Sequence, residues 1–231
     1  MVETRCIMTA HTPDYAIWGP VTGDLMQRYA DRCGATFLDV EYAARIPRPH
    51  WFILAVDDAM LKFDRVVWMD GDMLVNPEAP NLFEEVPRGF LGAFCDEGQM
   101  TAGEPDWRER PCYRHGYFNG GLLIFDSAVH TGMHARALAS WRKRHEAYTP
   151  IELNALFVTQ TAMNRIAHDE LMRVWRLGAQ WNHYLKPRHM DRLGINLEPR
   201  DCHVIHFAGG SQHTPAEKVA MALQTREELK W

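Results

Sequence analysis

The sequence predicts a single α/β domain, and three observations carry that reading. Strand-like and helix-like segments alternate along the chain, the order expected when helices cover a sheet. Val66, Val67, Trp68 and Met69 form an unbroken apolar run, which suits a central strand buried on both faces. The 231 residues contain no internal repeat, low-complexity tract or linker, which suits one continuous domain over residues 1–231 better than two.

The elements follow in order. Arg5 to Ala10 reads as a first strand, followed by a loop and a helix from Val21 to Cys33 that Gly34 stops. Ala35 to Val40 is the second strand, and Pro49 is placed for the first turn of a helix over His50 to Leu61. Arg65 to Val75 carries the buried apolar run, and Leu91 to Gly98 is a strand running into a loop. Gln99 to His115 is polar, contains Gly103, Pro105 and Pro111, and reads as a surface excursion long enough to act as a lid. Tyr117 to Ser127 returns as a buried strand, and Val129 to Tyr148 is a helix. Thr149-Pro150-Ile151-Glu152 has the capping-box pattern with Pro at the first helical position. The last strand is His203 to Gly209, and Pro215 to Trp231 forms a helical tail.

Composition narrows the function. Hydrophobic residues make up 46% and charged residues 24%, a globular balance that excludes a disordered chain or a coiled coil. The formal charge of −5 argues against a basic nucleic-acid-binding surface. Cys6, Cys33, Cys95, Cys112 and Cys202 are scattered without a CxxC pair, which argues against a zinc ribbon or disulfide framework and fits a reducing compartment. No apolar run approaches a membrane span, and the start MVETRCIMTAH lacks a signal-peptide core. A soluble, cytoplasmic protein is the expectation.

The sharpest chemical feature is Asp70-Gly71-Asp72 at the end of the buried strand. Ligands bind at strand ends in open α/β sheets. Two carboxylates there repel unless compensated, so a divalent cation is their natural partner, and the intervening glycine lets backbone approach a ligand. The alternative is a solvated turn, since Asp-Gly is ordinary turn chemistry. Gln160 falls within the apolar stripe Leu153, Leu156, Phe157, Met163 and Ala167 if the capped helix runs through it. A polar residue on such a stripe needs a partner, either a ligand or a core hydrogen bond. Asp96 ends a strand before the polar excursion, and Asp126 suits a helix entry.

WMDGDMLVNP, YFNGGLLIFDS and VIHFAGG follow one another in this order, and the set resembles the retaining family 8 glycosyltransferases of the GT-A fold and neighbouring retaining families. The resemblance covers about residues 5–212 and implies a GT-A-like (Rossmann-like) domain with a central mixed, mostly parallel sheet. It implies that Asp70, Asp72 and His206 hold Mn²⁺ (or Mg²⁺), a ligand set that suits such an ion. Asn119, Gly120 and Gly121 match the segment against the donor sugar, Gln160 matches the Gln of the family's DQ pair, and Asp96 is placed for sugar hydroxyls. Thr9, Ala10, His11, Thr12 and Tyr15 lie in the loop after the first strand, where the nucleoside is held; Tyr15 could stack on a base. Arg48, Gly71 and Gly209 join the donor contacts, and Trp181-Asn182 resembles a WN pair on the acceptor side.

The chain departs from the pattern twice. Thr159 stands where the family has the Asp of DQ, and Gln212 stands where it has a phosphate-contacting Lys. Arg48, His213 and Lys218 are the cations nearest that role in sequence. The implied reaction moves a sugar from UDP to an acceptor hydroxyl of a glycan, lipid, protein or small molecule. With no carboxylate at Gln160, front-face attack with retention is the implied course. Two other readings stay open. One is a non-catalytic nucleotide- or sugar-binding protein of the same fold. The other is a nucleotidyltransferase, which would want a Gly-rich, Lys/Arg-bearing phosphate loop where MTAHTPDY stands.

Overall fold

The computed structural model describes residues 2–11, 13–41, 55–95, 116–144, 159–184, 196–208 and 213–231. Strand β1 (Arg5–His11) leads through a 3₁₀ turn (Pro13–Trp18) into helix α1 (Gly19–Arg32). Val21, Leu25, Met26 and Tyr29 of α1 recur at helical spacing and are buried. The chain leaves α1 through Gly34 at φ +64, a conformation that favours glycine, and enters β2 (Thr36–Glu41). Next come α2 (Ala55–Met60), β3 (Arg65–Met69), β4 (Met73–Val75) and a single-turn α3 (Leu82–Glu85), where the Asn81 side chain accepts from Phe83 N–H. Then follow β5 (Leu91–Cys95), β6 (Phe118–Asp126), α4 (Ser127–His130), α5 (Met133–Arg144) and α6 (Thr159–Asp169). The described chain ends with β7 (Val174–Leu177), β8 (His183–Tyr184), β9 (Val204–His206) and α7 (Pro215–Leu229), the last opened by a Thr214/Glu217 capping box.

Six strands form the central sheet in the order β2-β1-β3-β6-β5-β7. β1 runs parallel to β2 and β3, β6 is antiparallel to β3 and β5, and β7 is parallel to β5. Alternate residues of β1 and β3 face opposite cores. Ile7, Val67 and Met69 pack with α1, while Cys6, Met8, Val66 and Trp68 pack with α2, α5 and α6. The central strands are thus covered on both faces, as their apolar run requires. A second sheet of order β4-β9-β8 stands beside the first.

Several expectations change. Arg65–Val75 is two strands in two sheets, because the Asp70–Asp72 turn, closed by Met73 N–H donating to the Asp70 carbonyl at 3.1 Å, redirects the chain. The helix expected over Val129–Tyr148 breaks at Gly132, whose φ of +74 ends α4 before α5 begins. The last strand is Val204–His206 rather than His203–Gly209. Strands β7 and β8 were not expected. The Thr149–Glu152 cap and the Gln99–His115 excursion lie outside the described residues. Among the described residues no helix is long and apolar enough to cross a membrane.

Candidate functional site

The end of β3 and the start of β4 are separated only by Asp70-Gly71-Asp72, so both carboxylates sit where the two sheets meet. Asp70 is anchored by its N–H donating to the Gly121 carbonyl at 2.8 Å. Antiparallel pairing of β4 with β9 puts Met73 opposite His206, and Phe207 N–H donates to the Asp72 carbonyl at 3.0 Å. That register carries His206 from far along the chain to Asp72. His206 Nε2 lies 3.3 Å from Asp72 Oδ1 and 3.8 Å from Asp70 Oδ2. One ligand atom from each of the three residues falls within 4.8 Å of the others.

Two of these three residues, Asp70 and His206, are held from behind. Trp68 Nε1 donates to Asp70 Oδ1 at 2.9 Å. Tyr184 stacks on the His206 ring with centroids 5.3 Å apart, and Asn182 Oδ1 meets His206 Nδ1 at 2.8 Å. Gly121 leaves room for them: a Cβ there would lie 2.6 Å from His206 Cε1 and 2.9 Å from Asp70 Oδ2. The charges are unequal. Surrounding protein and the Asp72 carboxylate together push the Asp70 carboxyl up to about 6, against the pull of His206. Burial acts the same way on Asp72, but His206 and the Lys218 ammonium of α7 outweigh it and hold that carboxyl below its ordinary value.

A run of amides adjoins these ligands. Gln160, at the start of α6, accepts through Oε1 from Gly120 N–H at 2.9 Å and from Asn119 Nδ2 at 3.1 Å. Asn119 Oδ1 accepts from Gly121 N–H at 2.8 Å and from Asn182 Nδ2 at 2.9 Å. Helix α6 is docked so that this happens, because buried Asn164 bonds both the N–H and the carbonyl of Phe118 in β6. Gln160 is half-buried, and its Nε2 makes no hydrogen bond among the described residues.

The chain matches no protein-family model and no curated protein in sequence; its likeness lies in structure. A glycosyltransferase involved in the glycosylation of the major capsid of PBCV-1 superposes with a TM-score of 0.63 at 17% identity, covering 96% of this chain and 99% of that one. The galactosyltransferase LgtC, solved with donor and acceptor sugar analogs, gives 0.63 at 14% identity over 98% and 96% of the two chains. Mouse xyloside xylosyltransferase 1 gives 0.54 at 12% identity over 89% and 98%. The chain has the GT-A glycosyltransferase fold.

On this GT-A scaffold the predicted residues separate into groups. Asp70, Asp72, His206, Asn119, Gly120, Gly121 and Gln160 come together around one cleft. Thr9, Ala10 and His11 are not in a loop after the first strand, because pairing with β2 continues to His11 opposite Glu41. Thr9 is fully buried, with no partner for its hydroxyl among the described residues. His11 lies against Asp39 and the Gly71 carbonyl, and a Cβ on Gly71 would strike its ring at 2.6 Å. The small residue at 71 therefore makes room for His11. Thr12, Arg48, Asp96, Gly209 and Gln212 lie outside the described residues, as does the side chain of Tyr15.

The WN pair also departs from its expected place. Trp181 is a core residue whose Nε1 donates to Glu85, and Asn182 stands behind His206. Sequence reasoning placed Asn182 on the acceptor side as part of the WN pair and did not single out Tyr184, so it missed both as supports of His206.

Proposed function

We propose that this protein, as one domain over residues 1–231, is a metal-dependent glycosyltransferase that moves a sugar from a UDP-sugar to an acceptor hydroxyl with retention. The observation that carries the reading is the convergence of Asp70, Asp72 and His206 at the end of the central strand of a GT-A fold. The two carboxylates repel one another there, and a divalent cation between them and the imidazole would relieve that repulsion. The donor set suits Mn²⁺ or Mg²⁺, with open positions for diphosphate oxygens. Bound there, such an ion neutralises charge developing on a diphosphate leaving group.

The chain's own residues have distinct parts in this reading. Gln160 and Asn119 lie along the sugar side of the cleft. Because the Gln160 Oε1 already accepts two hydrogen bonds, the group left to meet a sugar is the Nε2 donor pair. That supports a front-face course, in which Gln160 orients the sugar by donating to it and no side-chain oxygen attacks the anomeric carbon. Ala10, His11, Thr12 and Tyr15 form the nucleoside side, with Arg48 and Gly209 completing the donor contacts and Asp96 meeting sugar hydroxyls. Lys218, whose charge is felt at Asp72, takes over the phosphate contact that Gln212 cannot provide.

The test is UDP release from a panel of UDP-sugars, with and without an acceptor screen, in Mn²⁺ and in chelator. Metal-dependent release with at least one donor is expected; its absence from every donor, by a protein that binds UDP and Mn²⁺, would favour the second reading. That reading is a non-catalytic binder of the same fold, and Thr159 and Gln212 are the observations that favour it.

A further inference from the structure

Gln160, Asn119, Asn182 and His206 form a single hydrogen-bonded chain across the cleft, and the backbone fixes its polarity. Gly121 N–H donates to one end of the Asn119 amide at 2.8 Å, so that end is the oxygen. Gly120 N–H donates to Gln160 at 2.9 Å, so that atom is also an oxygen, and the other end of Asn119 can only be the NH₂ that meets it at 3.1 Å. Two independent backbone donors thus agree on the same orientation. The Asn182 atom 2.9 Å from Asn119 Oδ1 must then be Nδ2, which turns Asn182 Oδ1 toward His206 Nδ1 at 2.8 Å. An oxygen acceptor at that distance requires the proton to be on Nδ1. That turns Nε2 toward Asp72 and Asp70, and its electron pair is open to a cation wherever the ring is neutral.

This matters because a neutral histidine in water favours the opposite tautomer, with the proton on Nε2. Asn182 is completely buried, so water cannot take its place, and Tyr184 stacked on the ring limits its rotation. We propose that Asn182 is a positioning residue that sets the tautomer and ring orientation of His206, and that the Gly120–Gly121 backbone sets Asn182 through Asn119. The proposal deepens the transferase reading and rests on it for the use of the exposed electron pair, which is to hold a divalent cation. Asn182, completely buried, acts through His206.

Ring nitrogen shifts of histidine-labelled protein test this directly, in metal-free, mildly alkaline buffer, with His206 assigned from a His206→Gln sample. The wild type should show His206 with its proton on Nδ1. Asn182→Ala should move the proton to Nε2 or let the two forms average. Asn182→Asp loses the donor to Asn119 Oδ1 but keeps a carboxylate oxygen for Nδ1, and should keep the proton on Nδ1. Mn²⁺ affinity, read by electron paramagnetic resonance, should fall about 10–100-fold in Asn182→Ala and stay within about threefold, or tighten, in Asn182→Asp. An Nε2–H form in the wild type, or an unchanged Nδ1–H form in Asn182→Ala, overturns the assignment. If Asn182→Ala fails to fold, the wild type and Asn182→Asp decide it on the same criterion. A wild type with the Nδ1–H form and no affinity for Mn²⁺ upholds Asn182 and overturns the transferase reading. Equal Mn²⁺ binding by wild type and Asn182→Ala overturns Asn182 and leaves the transferase reading standing.

Discussion

Two carboxylate–imidazole pairs in this molecule look alike in composition and differ in what they can do. At the cleft, His206 faces Asp72 at 3.3 Å, with Asp70 beside them. On the other side of the sheet, His134 faces Asp57 at 2.8 Å. Asp57 reaches from α2 to the start of α5 and also accepts from the backbone N–H groups of His134 and Ala135. Burial works against its charge, but these bonds and His134 hold its carboxyl below the ordinary value. That pair closes on itself: the carboxylate is consumed as a helix cap. The other nitrogen of His134 is sealed beside Phe125 without a partner among the described residues. The cleft pair leaves electron pairs pointing at a common point. The proposed metal site is thus distinguished by what its residues have left over, whereas distance alone would rank the buried pair first.

The largest expected effect separates the two pairs. Asp72→Asn should cost roughly 4 kcal/mol of transition-state stabilisation, about a thousandfold in metal-dependent transfer, with the fold intact. Asp57→Asn should leave transfer near normal and cost about 1–2 kcal/mol of stability through the weakened cap. Steady-state transfer and urea unfolding on both variants check this, and equal losses of activity would break the distinction.

The next effect belongs to the scaffold side. His130, buried next to the His134 cluster, accepts from Asp126 N–H, and burial pushes its pKa down to about 4 from 6.5. A lowered folded-state value means that the unfolded chain takes up the proton first. The stability from neutral His130 is full above about pH 6.5 and is lost as pH falls toward 4, about 3 kcal/mol in all. Urea midpoints from pH 7 to 4 should therefore fall less steeply for His130→Gln than for the wild type.

Adjacent glycines sharpen the comparison within the cleft. Gly121→Ala would press on His206 and Asp70, whereas a Cβ on Gly120 meets Gln160 only at 3.5 Å, an ordinary contact. Mn²⁺ affinity should drop by about tenfold or more in Gly121→Ala and change little in Gly120→Ala. The smallest effect is that of Lys218→Met, a severalfold rise in the KM for donor with kcat nearly unchanged. A large fall in kcat would mean that Lys218 acts on the reacting atoms.

How far these distinctions were legible in the sequence follows from the kind of signal each residue leaves. Asp70 and Asp72 stand out because two carboxylates interrupt an apolar strand, whereas His206, expected within a strand over His203–Gly209, was marked only by the resemblance of HFAG. The order of those strands made the α/β fold readable. Asn182 left no comparable mark: its position depends on β8 pairing with β9, and β8 is two residues long. β7 was hidden because Trp175 and Arg176 are exposed on it, so it lacks the burial pattern of a central strand. Gly71 and Gly121 read as openings for a ligand, and the space each leaves is taken by His11 in one case and by the metal-side ligands in the other.

The central claim is that the cleft pair, and not the buried one, holds the cation. Titration of Mn²⁺ followed by electron paramagnetic resonance, with UDP present and absent, tests it on the wild type, Asp72→Asn and Asp57→Asn. The account predicts Mn²⁺ binding that UDP strengthens, kept by Asp57→Asn and lost by Asp72→Asn. Undiminished binding by Asp72→Asn would contradict it.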